Sequence, residues 1–134
     1  MTRYLLDTNH ASVFWRKRQV VAARLQGATD ARFGLCVPSI GELWYMVFHS
    51  TRAESNAQEL ESFLRDYEHW SFDLLAAAEF GRIKADLRKA GRPIPDVDTQ
   101  IAAIARANNL VLLTADTHFR NVSGLRSENW VPAT

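Results

Sequence analysis

Apolar and polar positions along this chain follow two rhythms. Three short apolar runs, at residues 4–6, 33–37 and 111–113, have the length of strands but not the alternation of a half-exposed sheet. They predict strands buried on both faces. Between them apolar residues recur at helical spacing, as Leu60, Phe63, Leu64 and Tyr67 do. Helices are expected over residues 10–15, with Thr8 or Asn9 as the cap, over a second short stretch stopping near Gly27, and over 40–49, 53–67, 74–90 and 101–108. Pro38 and Ser39 turn the second strand into its helix, Gly91 closes the long helix, and Asn109 ends the alanine-rich one. A short edge strand at 70–72 and a last one near Leu125 complete a strand–helix alternation, the signature of an α/β fold.

The apolar runs matter most at their ends. Tyr4-Leu5-Leu6 stops at Asp7-Thr8-Asn9, and Val111-Leu112-Leu113 stops at Thr114-Ala115-Asp116. In an open α/β sheet the carboxyl ends of the strands border the ligand crevice, so both acids are aimed at it. Two helix starts add further acids. Glu42 stands three residues after Ser39, which is capping-box spacing, but it also lies one turn into a helix that leaves a strand's carboxyl end. Asp96 is the better N-cap of the alanine-rich helix, with Val97 as its first residue and Asp98 in its first turn. Acids two residues apart do not share a helical face, so at most one of this pair looks into the crevice.

Asp7, Glu42, Asp98 and Asp116 form a set without His or Cys. Four carboxylates about 6 Å apart repel pairwise by about 3 kcal/mol at an effective dielectric of 20, so they call for a cation. All-oxygen ligands suit Mg²⁺ or Mn²⁺, ions able to deliver water to a phosphodiester and to stabilise its leaving oxygen. His10, His49, His69 and His118 show no zinc spacing and read as surface or structural residues. Phosphate-loop, dinucleotide-fingerprint and serine-elbow motifs are absent from the sequence.

Composition narrows the setting. The 134 residues, 47% hydrophobic and 23% charged, suit one compact domain spanning 1–134, without repeats or linkers. Cys36 is the only cysteine and lies in an apolar run, which points to a buried thiol in a reducing compartment. No apolar stretch approaches membrane-span length and no signal peptide is evident, so a cytoplasmic location is expected. The formal charge of +1 hides a division, because gathering four acids in one site leaves eleven others against sixteen Lys and Arg. The expectation is an acidic pocket in a basic surround. Within that surround, Arg16-Lys17-Arg18 is either a solvated turn or a contact to a nucleic-acid backbone.

The chain resembles the PIN domain, specifically the VapC-type toxins of type II toxin–antitoxin systems. The resemblance is carried by Leu-Leu-Asp-Thr-Asn at 5–9, Ser-Ile-Gly-Glu-Leu at 39–43, Asp-Thr-Gln-Ile-Ala-Ala at 98–103, Leu-Thr-Ala-Asp-Thr-His-Phe at 113–119 and the tail at 122–130. It implies a small central parallel sheet flanked by helices on both faces, in three layers. It also implies a Mg²⁺-dependent endoribonuclease, for which Mn²⁺ can substitute, together with toxin dimerisation and a VapB-type antitoxin that blocks the site. Asp7, Asp98 and Asp116 carry over as metal ligands with Glu42 as the remaining acid, and Asn9 and Thr114 match positions that brace the site. Asp96 falls outside the four, as a cap or a supporting group. His10 and Met46 depart from the pattern, since the family commonly has an aliphatic residue after Asp-x-Asn and a glycine after the Glu-Leu pair.

The leading expectation is therefore RNA hydrolysis, with Asp7, Asp98 and Asp116 holding the ion and Glu42 orienting water. The alternatives are a PIN-like module that binds RNA or protein without cutting, and a nuclease for branched DNA. Trp15, Trp44 and Phe48 are candidates for an apolar partner patch, with core burial as the competing fate.

Overall fold

The computed structural model describes residues 1–132. Five parallel strands form one sheet: β1 (Thr2–Leu6), β2 (Ala31–Cys36), β3 (Glu68–Trp70), β4 (Val111–Leu113) and β5 (Ser127–Glu128), in the spatial order β3-β2-β1-β4-β5. The chain builds outward from β1 through β2 to β3, then crosses back to place β4 on the other side of β1. The strand order therefore reverses between β1 and β4, and such a switch point opens a crevice at the strands' carboxyl ends.

Among the described residues six α-helices cover the sheet: α1 (Thr8–Arg16), α2 (Ala22–Gly27), α3 (Val37–Phe48), α4 (Ala53–Leu64), α5 (Leu74–Lys89) and α6 (Asp96–Ala107). Because side chains alternate along a strand, each central strand feeds two cores. Leu5, Cys36 and Leu112 pack against α5 and α6, where the small side chains of Ala102, Ala103 and Ala105 are fully buried. Leu6, Leu35 and Leu113 face the opposite layer of Phe14, Leu43, Val47 and Leu60. On that side the tail returns Trp130 into an aromatic cluster with Tyr4, Phe14 and Phe33. These layers match the three-layer α/β architecture expected from the sequence.

Several boundaries differ from expectation, each for a local reason. Neither Thr8 nor Asn9 caps α1; the cap is Asp7, whose carboxylate accepts from the His10 N–H at 2.7 Å. α3 starts at Val37 instead of residue 40, because Pro38 sits in the first turn, where its missing N–H costs nothing. The Ser39–Glu42 capping box does not form, since the Ser39 hydroxyl lies 3.3 Å from the Cys36 sulfur. α4 stops at Leu64 and leaves room for β3, which occupies 68–70 instead of 70–72. Pro95 is the N-cap of α6, so Asp96 is its first residue, not its cap. The last strand lies two residues beyond Leu125 and consists of two exposed polar residues.

Candidate active site

Four elements deliver carboxylates to the crevice at the switch point. Asp7 follows β1, Glu42 lies in α3, Asp98 is in the first turn of α6, and Asp116 follows β4. Together with Thr8, Asn9, Ser12 and Met46 they line one cleft of about 300 Å³. The strand ends are held in register by the Asp7 N–H, which donates to the Leu113 carbonyl at 3.1 Å. Thr114 steadies the loop beyond β4, its hydroxyl accepting from the Asp116 N–H at 3.0 Å.

The acids are not equivalent. Asp7 is buried, with one oxygen committed to the α1 cap. Glu42 receives the Thr8 hydroxyl on Oε1, which fixes its carboxylate across the cleft. Asp98 is raised from the ordinary carboxylate range, first by burial and then by the charges of Asp116, Glu42 and Asp7, with His118 pulling the other way. Loss of solvation and like charge both favour its protonated form in the absence of a cation. Asp98, Asp116 and His118 each offer a ligand atom within 4.8 Å of the others.

Asp96 does not reach this cleft. Its carboxylate instead pairs with Lys84 at 3.1 Å. Met46, one of the two departures from the family pattern, is 44% exposed and lines the cleft. Trp15 and Trp44 are partly buried against the core, whereas Phe48 is exposed. In the basic run, Arg16 pairs with Glu59 at 2.8 Å and lies over the Trp15 ring, and Arg18 donates to the Tyr67 hydroxyl at 2.9 Å.

Two histidines stand out that spacing did not single out. His10 is fully buried; its Nε2 accepts from the Trp130 N–H at 3.1 Å, and its Nδ1 lies 3.4 Å from Asp7 Oδ1 without a hydrogen bond. It ties the returning tail to the root of the cleft. His118 sits on a 3-10 turn after β4 with Nε2 at 3.1 Å from Asp98 Oδ2. Only the Asp-Thr-His spacing at 116–118 hinted at this, by putting an imidazole two residues past a strand-end acid.

Comparison with known proteins gives this geometry a family. The PIN domain model matches residues 4–125. Ribonuclease VapC2 of Haemophilus influenzae is 36% identical over 98% of this chain and 100% of its own length. The tRNA(fMet)-specific endonuclease VapC of Shigella flexneri is 33% identical over 97% of this chain and 99% of its own. Among solved structures, DNA-bound VapBC from Salmonella typhimurium superposes with a TM-score of 0.87 at 30% identity, covering 97% of this chain and 99% of that one. VapBC2 of Rickettsia felis, bound to a promoter DNA fragment, also gives 0.87, at 26% identity over 96% of this chain and 99% of that one. With a matching domain model over nearly its whole length and full-length relatives above 30% identity, the chain belongs to the PIN-domain family, in its VapC branch.

Proposed function

We propose that this protein is the toxin of a type II toxin–antitoxin pair and acts as a metal-dependent endoribonuclease that hydrolyses RNA phosphodiester bonds. The observation that carries this reading is the convergence of Asp7, Glu42, Asp98 and Asp116, from four separate elements, on one cleft at the switch point. The names of its relatives supply the substrate class, since they are called ribonucleases or a tRNA endonuclease.

The donor set fits a divalent ion. Carboxylate oxygens dominate it, burial and the neighbouring acids raise the Asp98 carboxyl, and ligand atoms of Asp98, Asp116 and His118 lie within 4.8 Å of one another. Asp7, Asp98 and Asp116 would hold Mg²⁺ or Mn²⁺. Such an ion, when bound, offsets phosphate charge and lowers the pKa of water. Glu42 orients the attacking water, because the Thr8 hydroxyl occupies Oε1 and leaves the second oxygen to accept a proton. Asn9, at the cleft wall, and Thr114, under Asp116, keep these groups in place.

The neighbouring VapBC structures support a VapB-type antitoxin as partner, and toxin dimerisation is what the family resemblance implies. Among the described residues, no helix is long and apolar enough to cross a membrane.

The test is RNA cleavage by the purified chain with Mg²⁺, with EDTA, and with Asp98→Asn. Cleavage is expected only in the first case, as specific internal cuts. RNA cutting that persists in EDTA, or at wild-type rate in Asp98→Asn, overturns the metal mechanism.

A further inference from the structure

His10 carries an inference beyond the acid set. A backbone N–H can only donate, so the His10 Nε2 that faces the Trp130 N–H at 3.1 Å is an acceptor and bears no proton. An imidazolium, protonated on both nitrogens, does not fit this bond. The ring is therefore neutral with its proton on Nδ1, and it is fully buried. That N–H meets no acceptor in hydrogen-bonding geometry, and the charged oxygen beside it is Asp7 Oδ1 at 3.4 Å. A donor shut away from water is costly unless a negative group compensates it, and here the carboxylate does so. The same oxygen already accepts the His10 backbone N–H at 2.7 Å. Two N–H groups of one residue thus converge on Oδ1, which leaves Oδ2 as the uncommitted oxygen of a carboxylate that lines the cleft. Trp130 is itself buried among Tyr4, Phe14 and Phe33, so its N–H is a fixed anchor for the ring.

We infer that His10 is a positioning residue for Asp7: held as the Nδ1–H tautomer by the Trp130 N–H, it pins Oδ1 and leaves Oδ2 to the ion. The inference rests on the metal-dependent reading above, in which Asp7 is a ligand. A group that orients a metal-binding side chain from behind commonly contributes about 10–100-fold to ion affinity. His10 stands where the family commonly has an aliphatic residue, which offers neither contact. The device therefore belongs to this chain and makes its returning tail a strut of the cleft.

The experiment joins ¹H–¹⁵N correlation spectra of the imidazoles in the metal-free full chain with Mg²⁺ and Mn²⁺ affinities by titration, for wild type, His10→Gln and His10→Asn. A glutamine amide oxygen reaches the place of Nε2 and accepts the Trp130 N–H but offers Asp7 nothing. An asparagine amide sits at the place of Nδ1 and donates to Asp7 but releases the tail. The wild-type His10 ring, assigned by its loss in both variants, should be protonated on Nδ1 alone. His10→Gln should lose about tenfold or more in affinity for both ions, whereas His10→Asn should keep it within about threefold. Without the ion the order reverses, His10→Asn melting below wild type and His10→Gln near it. A His10 ring protonated on Nε2, or wild-type ion affinity in His10→Gln, reduces His10 to an anchor for the tail; either result overturns the assignment and leaves the metal-dependent reading standing. Equal losses of affinity in the two variants place the effect in packing and overturn it as well. Failure of the wild type to bind either ion overturns the metal-dependent reading, and this inference with it.

Discussion

Asp7 serves two ends with one carboxylate. Oδ1 caps α1 through the His10 N–H, and the same group forms part of the cleft wall. The roles separate by substitution, because Asn caps a helix about as well as Asp while Ala does not. Asp7→Asn should abolish RNA cleavage at near wild-type stability. Asp7→Ala should lose cleavage and also about 1 kcal/mol of stability in a denaturant titration. Equal stability of the two variants would show that the cap contributes nothing. At this scale the acids were legible because each follows an apolar run or opens a helix, positions a sequence displays directly. Glu42 was ambiguous only while its capping-box partner was open, and the Ser39 hydroxyl is turned toward Cys36 instead. The histidines were not legible. His10 acquires its partner from Trp130, 120 residues away, and His118 acquires Asp98 from another element. No spacing rule reaches across such separations.

Elements obey the same division between local and distant causes. The buried strands and amphipathic helices follow from their own residues, whereas β3 and β5 are short, largely exposed and polar, and exist because a neighbour's edge was free. β3 docks closely. A Cβ added at Gly34 on β2 would stand 2.6 Å from the Trp70 indole nitrogen and 3.2 Å from the Glu68 carbonyl. Gly34→Ala should therefore displace the Trp70 ring, costing roughly 1–3 kcal/mol as an overpacked site and altering tryptophan fluorescence. An unchanged melting curve and spectrum would mean that β3 moves aside freely. The α5–α6 pair depends on a charge contact. Glu79 bonds Arg106 of α6 and pairs with Arg82 at 2.8 Å, and the Arg106 hydrogen bond foremost lowers its carboxyl below the ordinary 4.5. A lowered folded-state value means the contribution is complete above the ordinary carboxylate range and is lost as pH falls through the lowered value. Glu79→Gln should destabilise the protein at pH 7 and flatten its acid-side stability loss. A variant whose stability falls with acid as steeply as wild type would exclude Glu79 as a contributor.

Across the whole molecule the cleft sets activity against stability. None of its carboxylates belongs to either core, yet it gathers four of them where β1 and β4 part. Asp98 records the cost. Burial first, and then the neighbouring acids, raise its carboxyl, so the folded chain binds that proton more tightly than the unfolded chain does. The metal-free protein should therefore lose stability as pH rises from the ordinary carboxylate value through the raised one. A bound divalent ion reverses the balance by linkage. At 10 mM Mg²⁺ and a dissociation constant of about 1 mM, the gain is about 1.4 kcal/mol. For a chain of this size that is roughly 3–8 °C in melting temperature. Asp98→Asn and Asp116→Asn remove repulsion together with a ligand, so both should melt higher than wild type in EDTA and gain less from Mg²⁺. The crossing of the two series, variants above wild type without the ion and no longer above it with the ion, distinguishes a true site from general salt stabilisation. The latter would lift every variant equally, and that result would remove the ion from the account of this cleft.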